Sequence, residues 1–234
     1  MKRHDELAAQ WGLSPVAVAR LEAFLAGLAA DEHAPTTVRD PERAVEAHVA
    51  DALDGLAVDA VRRAREIADL GAGAGVPGLV LAAALPTAHV ALVESAGRKC
   101  AFMDRVAAAM GLDNVDVVPA RAEAWSEGLG SCDVVTARAL APLPVLVEYA
   151  APLLRPEGVL VAWKGAPARD EEADGDAAAR VLGMSSAERV PLAARPGADR
   201  RSLYLYLKVG STPNGYPRRP GMARKRPISA STSS

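Results

Sequence analysis

Several kinds of protein are excluded by what this sequence has little of. Two cysteines among 234 residues, Cys100 and Cys132, cannot by themselves make a disulfide framework or a four-ligand zinc site, and such usage suits a reducing cytoplasm. Nine aromatic side chains are too few for a broad platform on which single-stranded nucleic acid stacks its bases. The N-terminal Met1-Lys-Arg-His-Asp-Glu6 runs straight into helical pattern without an apolar signal core, so secretion is not expected. Leu70 to Val93 holds no Asp, Glu, Lys or Arg, but Gly71, Gly73, Gly75, Pro77, Gly78 and Pro86 interrupt it. Those residues break any single helix long enough to span a membrane, and a buried strand–loop–helix–strand unit explains the stretch better.

What remains is ordinary globular material, half apolar and a quarter charged, with a net charge of -2. That small net charge hides a segregation. Residues 1–194 carry 18 Lys and Arg against 28 Asp and Glu, whereas residues 195–234 carry nine against Asp199 alone. An acidic body with a basic end points to a polyanionic partner for that end; the alternative is a solvated tail.

Ser14-Pro15 has the form of an N-cap and first helical residue, and Leu21, Phe24, Leu25 and Leu28 make the apolar face of the helix that follows. Asp40-Pro41-Glu42 starts another, with Val45, Val49, Leu53 and Leu56 inward. Strand-like runs then recur at 66–70, 89–94, 115–119, 132–137, 158–163, 187–192 and 202–209. Helical patterns fill the gaps at 77–85, 97–110, 142–154 and 170–182. Strands alternating with helices predict a doubly wound, mostly parallel α/β sheet. The last gap is too short for a helix, so 203–209 is expected antiparallel to 187–192. The expected organisation is an N-terminal helical extension (1–60), a nucleoside-binding domain (61–210) and a basic, loosely ordered tail (211–234) rich in Gly, Pro and Ser.

Chemistry concentrates at Asp69-Leu-Gly71-Ala-Gly73-Ala-Gly75-Val-Pro77-Gly78, the junction between the first strand and its helix. Glycines let the backbone turn sharply and approach a ligand, and the helix that follows offers free N–H groups. Glu94 closes the next strand, 23 residues beyond Gly71, where a carboxylate can hold both hydroxyls of a ribose. Gly73-x-Gly75-x-x-Gly78 satisfies the dinucleotide fingerprint, which keeps a nicotinamide-dependent oxidoreductase open. Against it, the first glycine follows the strand at once and the strand carries Asp69, an acid that would repel a pyrophosphate. S-adenosyl-L-methionine has an adenosine, an ammonium and a sulfonium but no phosphate, and suits an acidic loop better.

The loop resembles motif I of class I S-adenosylmethionine-dependent methyltransferases, in the form found in the RsmG (GidB) family of small-subunit rRNA methyltransferases. The likeness runs on through Leu92-Val-Glu-Ser95, Arg98-Lys99 followed by Phe102, Ala120-Arg-Ala-Glu123 and Asp133-Val-Val-Thr-Ala-Arg-Ala139. It extends to Trp163-Lys-Gly165, Thr212-Pro213 and Tyr216-Pro-Arg-Arg-Pro-Gly221, with Arg39-Asp-Pro41 and His48-x-x-Asp51 upstream, and covers about residues 36–228. It implies a Rossmann-like, mostly parallel seven-stranded sheet with S-adenosyl-L-methionine as cofactor. Gly71 and Val76 would contact that cofactor, Glu94 would take its ribose hydroxyls, Ala122 and Glu123 would lie near the adenine, and Arg138 would be a further contact. Asp69 and Gly73 join the set on loop geometry.

The family's reaction, as the resemblance implies, is methylation of guanine N7 in the 530 loop of bacterial 16S rRNA. An in-plane lone pair makes that nitrogen a nucleophile without a general base, so the enzyme aligns it with the methyl group and steadies the positive charge passing to the base. The chain has no [DN]-P-P-[FYW] after the fourth strand and no Pro-Cys nucleophile. His48 and Asp51 share a helix face and are expected to pack there rather than bind metal. Arg138 and Lys164, at the ends of the fourth and fifth strands, are the candidates for contact with cofactor or target nucleotide. Arg218, Arg219, Arg224, Lys225 and Arg226 would contact phosphates of 16S rRNA or the small ribosomal subunit. Neither DNA nor membrane is an expected partner. Two departures stand out, Ala34 where the family usually has Asn and Ala223 for a common proline. A non-catalytic ribosome-associated module is the third possible reading.

Overall fold

The computed structural model describes residues 3–38, 40–195 and 200–232; Arg39, part of the upstream likeness, lies outside the described residues. The chain divides into two compact units, Met1–Pro119 and Ala120–Ser234. The expected helical extension thus falls within the first unit and the basic end within the second.

In the first unit α1 (Arg3–Trp11) and α2 (Pro15–Ala30) lead. Ser14 caps α2, its Oγ accepting the Ala17 N–H at 3.2 Å, and satisfies one of the donors that a helix start leaves open. Ala17, Leu21, Phe24 and Leu28 form the buried stripe, while Leu25, expected with them, is partly exposed. The stripe packs on α6 (Gly78–Ala84) and α7 (Gly97–Ala109). Gly27 permits the close approach, since a Cβ there would stand 3.1 Å from Val106. An apolar stripe must be covered, which is why this helix packs into the first unit instead of standing apart.

The helix expected from Asp40 is a chain of short pieces: α3 (Pro41–Ala44), a π-helical turn (Val45–Ala50), α4 (Asp51–Leu53) and a 3-10 turn (Asp54–Ala57). Asp40 caps it through the Arg43 N–H at 2.8 Å, and Val45, Val49, Leu53 and Leu56 are all buried as expected. His48 and Asp51 are buried too, with His48 Nε2 paired to Thr36 Oγ1 at 2.9 Å. After α5 (Asp59–Arg63), β1 (Glu66–Leu70), β2 (His89–Val93) and β3 (Val115–Val118) pair in parallel.

The second unit opens with 3-10 turns at Ala122–Ala124 and Ser126–Gly128, then alternates β4 (Cys132–Arg138), α8 (Leu143–Ala150), β5 (Leu154–Lys164) and α9 (Glu171–Val181). β4 and β5 are parallel. β6 (Glu188–Pro191) and β7 (Ser202–Leu207) are antiparallel to each other, and β7 is antiparallel to β5, as the short last connection requires. The sheet has seven strands in the order β3-β2-β1-β4-β5-β7-β6. From Cys132 to Ala137 every residue of β4 is buried, the mark of a strand covered on both faces. Past β7 the chain continues through α10 (Met222–Lys225) to a 3-10 turn at Ala230–Thr232. Among the described residues no helix is long and apolar enough to cross a membrane.

Candidate functional site

The loop after β1 is held from beneath and from the side. Asp69 is fully buried, and its Oδ2 accepts the Gly78 N–H at 2.8 Å. A Cβ at Gly78 would lie 2.9 Å from that oxygen and 2.2 Å from Leu92, so only glycine lets strand and helix come this close. Asp69, expected among the cofactor contacts, thus bonds within the loop itself. With no exposed surface and Oδ2 committed to the backbone, Asp69 shapes the loop and acts through it. The Gly71 N–H reaches Val93 O at 2.8 Å, which ties the loop to the end of β2.

Two glycines in the loop need their backbone freedom for different reasons. Gly75 has φ +85, and a Cβ there would collide with Leu79 at 2.3 Å. Gly73 has φ +60, but a Cβ there would meet only Gly71 O, at 3.6 Å. Its outer side is a cradle that any side chain would fill. The Gly73 N–H donates to Glu94 Oε2 at 3.3 Å, and Glu94 Oε1 accepts the Ala96 N–H at 2.9 Å. The carboxylate at the end of β2 therefore faces the loop. Lys99 Nζ shares Oε2 at a longer 3.5 Å from a side chain 38% exposed, so it can yield to a ligand hydroxyl. Val76 is buried. Cys100 gives its thiol hydrogen to Glu94 O at 3.2 Å, and burial pushes that thiol up, away from the thiolate a nucleophile needs. An open glycine cradle beside a carboxylate, with no cation beyond Lys99 bonded to that carboxylate among the described residues, fits an uncharged ribose better than a pyrophosphate.

In the second unit Ala122 and Glu123 open the first 3-10 turn, both partly exposed. Glu123 Oε1 accepts the Gly221 N–H at 2.9 Å, so the basic end reaches the residue expected near adenine. Arg138 closes β4 and lines a cavity of about 300 Å³ with Ala139, Trp163, Lys164, Gly165 and Arg201. Ala139 has φ +54, a strained value for a side-chain-bearing residue, and it re-aims the chain as it leaves the strand. Lys164 Nζ pairs with Glu171 Oε1 at 2.6 Å and donates to Ala141 O at 3.3 Å. Burial pushes the Glu171 carboxyl up, but Lys164 and the Leu143 and Ala168 N–H groups outweigh it and leave it below the usual carboxylate range. Burial lowers the Arg201 guanidinium from its ordinary value. Glu171 and Arg201 carry no signal in the local sequence pattern, because α9 must pack so that Glu171 meets Lys164 and β7 must pair with β5, Ser202 opposite Lys164, to bring Arg201 near.

The segment expected to be a loosely ordered tail is bonded to the second unit at several points among the described residues. Arg218 makes a two-pronged ion pair with Glu148, Nε to Oε1 at 2.6 Å and Nη2 to Oε2 at 2.5 Å. Arg224 Nη2 donates to Leu140 O at 2.9 Å, and the Ala230 N–H to Asp174 Oδ1 at 2.8 Å. Glu148 is 1% exposed on an otherwise apolar α8, and a buried carboxylate demands a cation. The sequence signal was available: one acid inside the run Leu143-Pro-Val-Leu-Val-Glu-Tyr-Ala150. Arg218, expected among the phosphate contacts, is here paired with Glu148, whereas Arg219, Arg224, Lys225 and Arg226 are exposed.

A mostly parallel seven-stranded sheet with a reversed β7, a glycine loop after β1 and an acid at the end of β2 is the fold of class I S-adenosylmethionine-dependent methyltransferases. Solved structures agree. The apo S-adenosylmethionine-dependent methyltransferase SibL matches with a TM-score of 0.57 at 17% identity, covering 84% of this chain and 70% of its own. A precorrin-6y C5,15-methyltransferase from Geobacter metallireducens matches at 0.54 and 17%, covering 76% and 93%. The chain belongs to the rRNA small subunit methyltransferase G family, which it matches over residues 18–202. It is 41% identical to ribosomal RNA small subunit methyltransferase G of Rubrobacter xylanophilus over 81% of this chain and 75% of the relative. It is 40% identical to the protein so named in Chloroflexus aggregans, over 82% of each. The cofactor of this class is S-adenosyl-L-methionine. The basic segment from Gly210 lies beyond the family match.

Proposed function

We propose that the protein transfers a methyl group from S-adenosyl-L-methionine to N7 of a guanine in the 530 loop of 16S rRNA, in the cytoplasm and as part of small-subunit maturation. The observation that carries the cofactor half is the Glu94 carboxylate turned onto the Gly73 N–H, beside a glycine with its outer side open. The cofactor supplies an electrophilic methyl on a cationic sulfur. Glu94 binds the ribose hydroxyls with charge-assisted hydrogen bonds, Gly71, Gly73 and Val76 shape the floor, and Asp69 holds the loop in place through Gly78. Ala122, Glu123 and Arg138 are assigned to cofactor contact on the family likeness, with Glu123 engaged at Gly221 as well.

Guanine N7 needs no proton removed, which agrees with a sequence that carries no Pro-Cys nucleophile. The task is alignment and charge management. The cavity at the carboxyl ends of β4 and β5 carries Arg138, Lys164 and Arg201, which suits the phosphate and O6 oxygens of a nucleotide. Lys164, neutralised by Glu171, orients the wall more than it adds charge. Family membership sets aside the nicotinamide-dependent reading. The deciding experiment incubates the protein with labelled S-adenosyl-L-methionine and either 30S particles or naked 16S rRNA lacking the modification. Mass-spectrometric mapping of 7-methylguanosine to the 530 loop is expected. Cofactor and particle binding without transfer would replace the proposal by the ribosome-associated module, and methylation of another atom would correct the target.

A further inference from the structure

The anchoring of the basic segment is tighter than a phosphate-binding tail requires, and its bonds follow an order. Lys208 is buried; its Nζ donates to Leu182 O at 3.1 Å and to Thr212 Oγ1, which donates on to Ala151 O at 3.1 Å. Six residues further along, Arg218 forks onto Glu148 and stands over the Tyr216 ring, 5.8 Å from its centroid. The same Arg218 Nη2 also donates to Arg226 O at 2.9 Å. One guanidinium therefore binds a buried carboxylate and closes the loop 218–226 at both ends. Within that loop the Gly221 N–H is held by Glu123, α10 follows at once, and Ala223 within it is buried. Apart from Pro220, the side chains left exposed are cationic: Arg219, Arg224, Lys225 and Arg226.

We infer that Glu148 is a positioning residue, which through its buried two-pronged pair with Arg218 holds the loop 218–226 in one shape and so presents Arg219, Lys225 and Arg226 together to an RNA phosphate backbone. The chemistry supports this division of labour. A guanidinium has a planar fork that fixes direction as well as charge, whereas an ammonium is a point charge that would not hold both the carboxylate and the Arg226 carbonyl in one plane. Cations on a fixed loop meet regularly spaced phosphates without first being ordered, so less binding free energy is lost in ordering them. The inference rests on rRNA being the substrate.

The test uses the full chain with Glu148→Gln and, separately, Arg218→Lys. Three quantities are measured: amide hydrogen exchange over 216–226, affinity for a 16S rRNA fragment containing the 530 loop across a salt series, and affinity for S-adenosyl-L-methionine. Both variants are expected to exchange faster at Gly221 and Arg226, to bind the RNA about tenfold more weakly, and to show a shallower slope of log affinity against log salt. Cofactor affinity is expected to stay within about twofold of the unaltered protein. A purely structural pair would lower the unfolding midpoint and leave the RNA affinity and salt slope of the folded protein unchanged, and that result overturns the inference. So does unchanged exchange in both folded variants. Failure of the substrate reading is recognised elsewhere: the unaltered protein would then not bind the RNA at any salt.

Discussion

Replacing Gly73 by Ala separates backbone strain from ligand contact. Gly73 has φ +60, and its Cβ position is open apart from Gly71 O at 3.6 Å. The stability effect is then strain alone. A left-handed conformation with a Cβ costs about 1–2 kcal/mol, and the stiffer unfolded chain returns about 0.4–1 kcal/mol, leaving a net loss of about 1 kcal/mol. For a chain of this size that lowers the unfolding midpoint by about 2–4 °C. Gly111→Ala is the matched control, with φ +63 and nothing within 4 Å, and should lose the same amount. Affinity for S-adenosyl-L-methionine, measured by titration calorimetry, should divide the pair. Gly111→Ala should bind normally. Gly73→Ala should bind at least about tenfold more weakly, about 1.4 kcal/mol, because its methyl occupies the cradle and displaces the N–H from Glu94. Equal and undiminished affinity in both variants would refute the placement of the cofactor on this loop.

Arg138→Ala should leave the unfolding midpoint within about 2 °C of the unaltered protein while lowering methyl transfer to 30S particles about a hundredfold, on the scale of a removed charge-stabilising donor; full activity would take Arg138 out of the site. Glu171 sits below its ordinary carboxylate value when folded, so its contribution is present above the unfolded value near 4.5 and is lost as pH falls through the lower folded value. Urea midpoints between pH 3 and 6 should therefore fall in acid, and Glu171→Gln should flatten that fall while removing about 1–3 kcal/mol at neutral pH, between the exposed and buried limits for an ion pair. A variant that keeps the full acid dependence would assign it to other carboxylates. Cutting the chain after Gly210 would strand Glu148 without Arg218, so the phosphate contacts are better probed by Arg219→Gln, Lys225→Gln and Arg226→Gln together, which should reduce the salt slope of rRNA affinity by about 2–3 with cofactor affinity unaltered.

Where one period dominates, sequence and structure agree closely. The strand expected at 66–70 is β1 (Glu66–Leu70), and the helix expected at 97–110 is α7 (Gly97–Ala109). Alternation with helices and one short connection were enough to give a parallel sheet with a reversed end. The Gly-rich loop and Glu94 were legible for the same reason: a strand end, a turn and a helix start are local, and local geometry is written in neighbouring residues. Residue type and place in the chain make Asp69 look like a ligand contact because both are local, whereas its burial is not. Glu171 reaching back to the Leu143 N–H, and Arg218 finding Glu148 70 residues away, depend on which elements pack together.

The order of elements, the loop that suits a nucleoside cofactor and the segregation of charge that sets a basic end against an acidic body all follow from residue pattern along the chain. What the charges in that end do follows from packing across the second unit. A cation's role is set by the solvation of whatever it meets, and the desolvated Glu148 claims Arg218 for the fold while Arg219, Arg224, Lys225 and Arg226 stay in water.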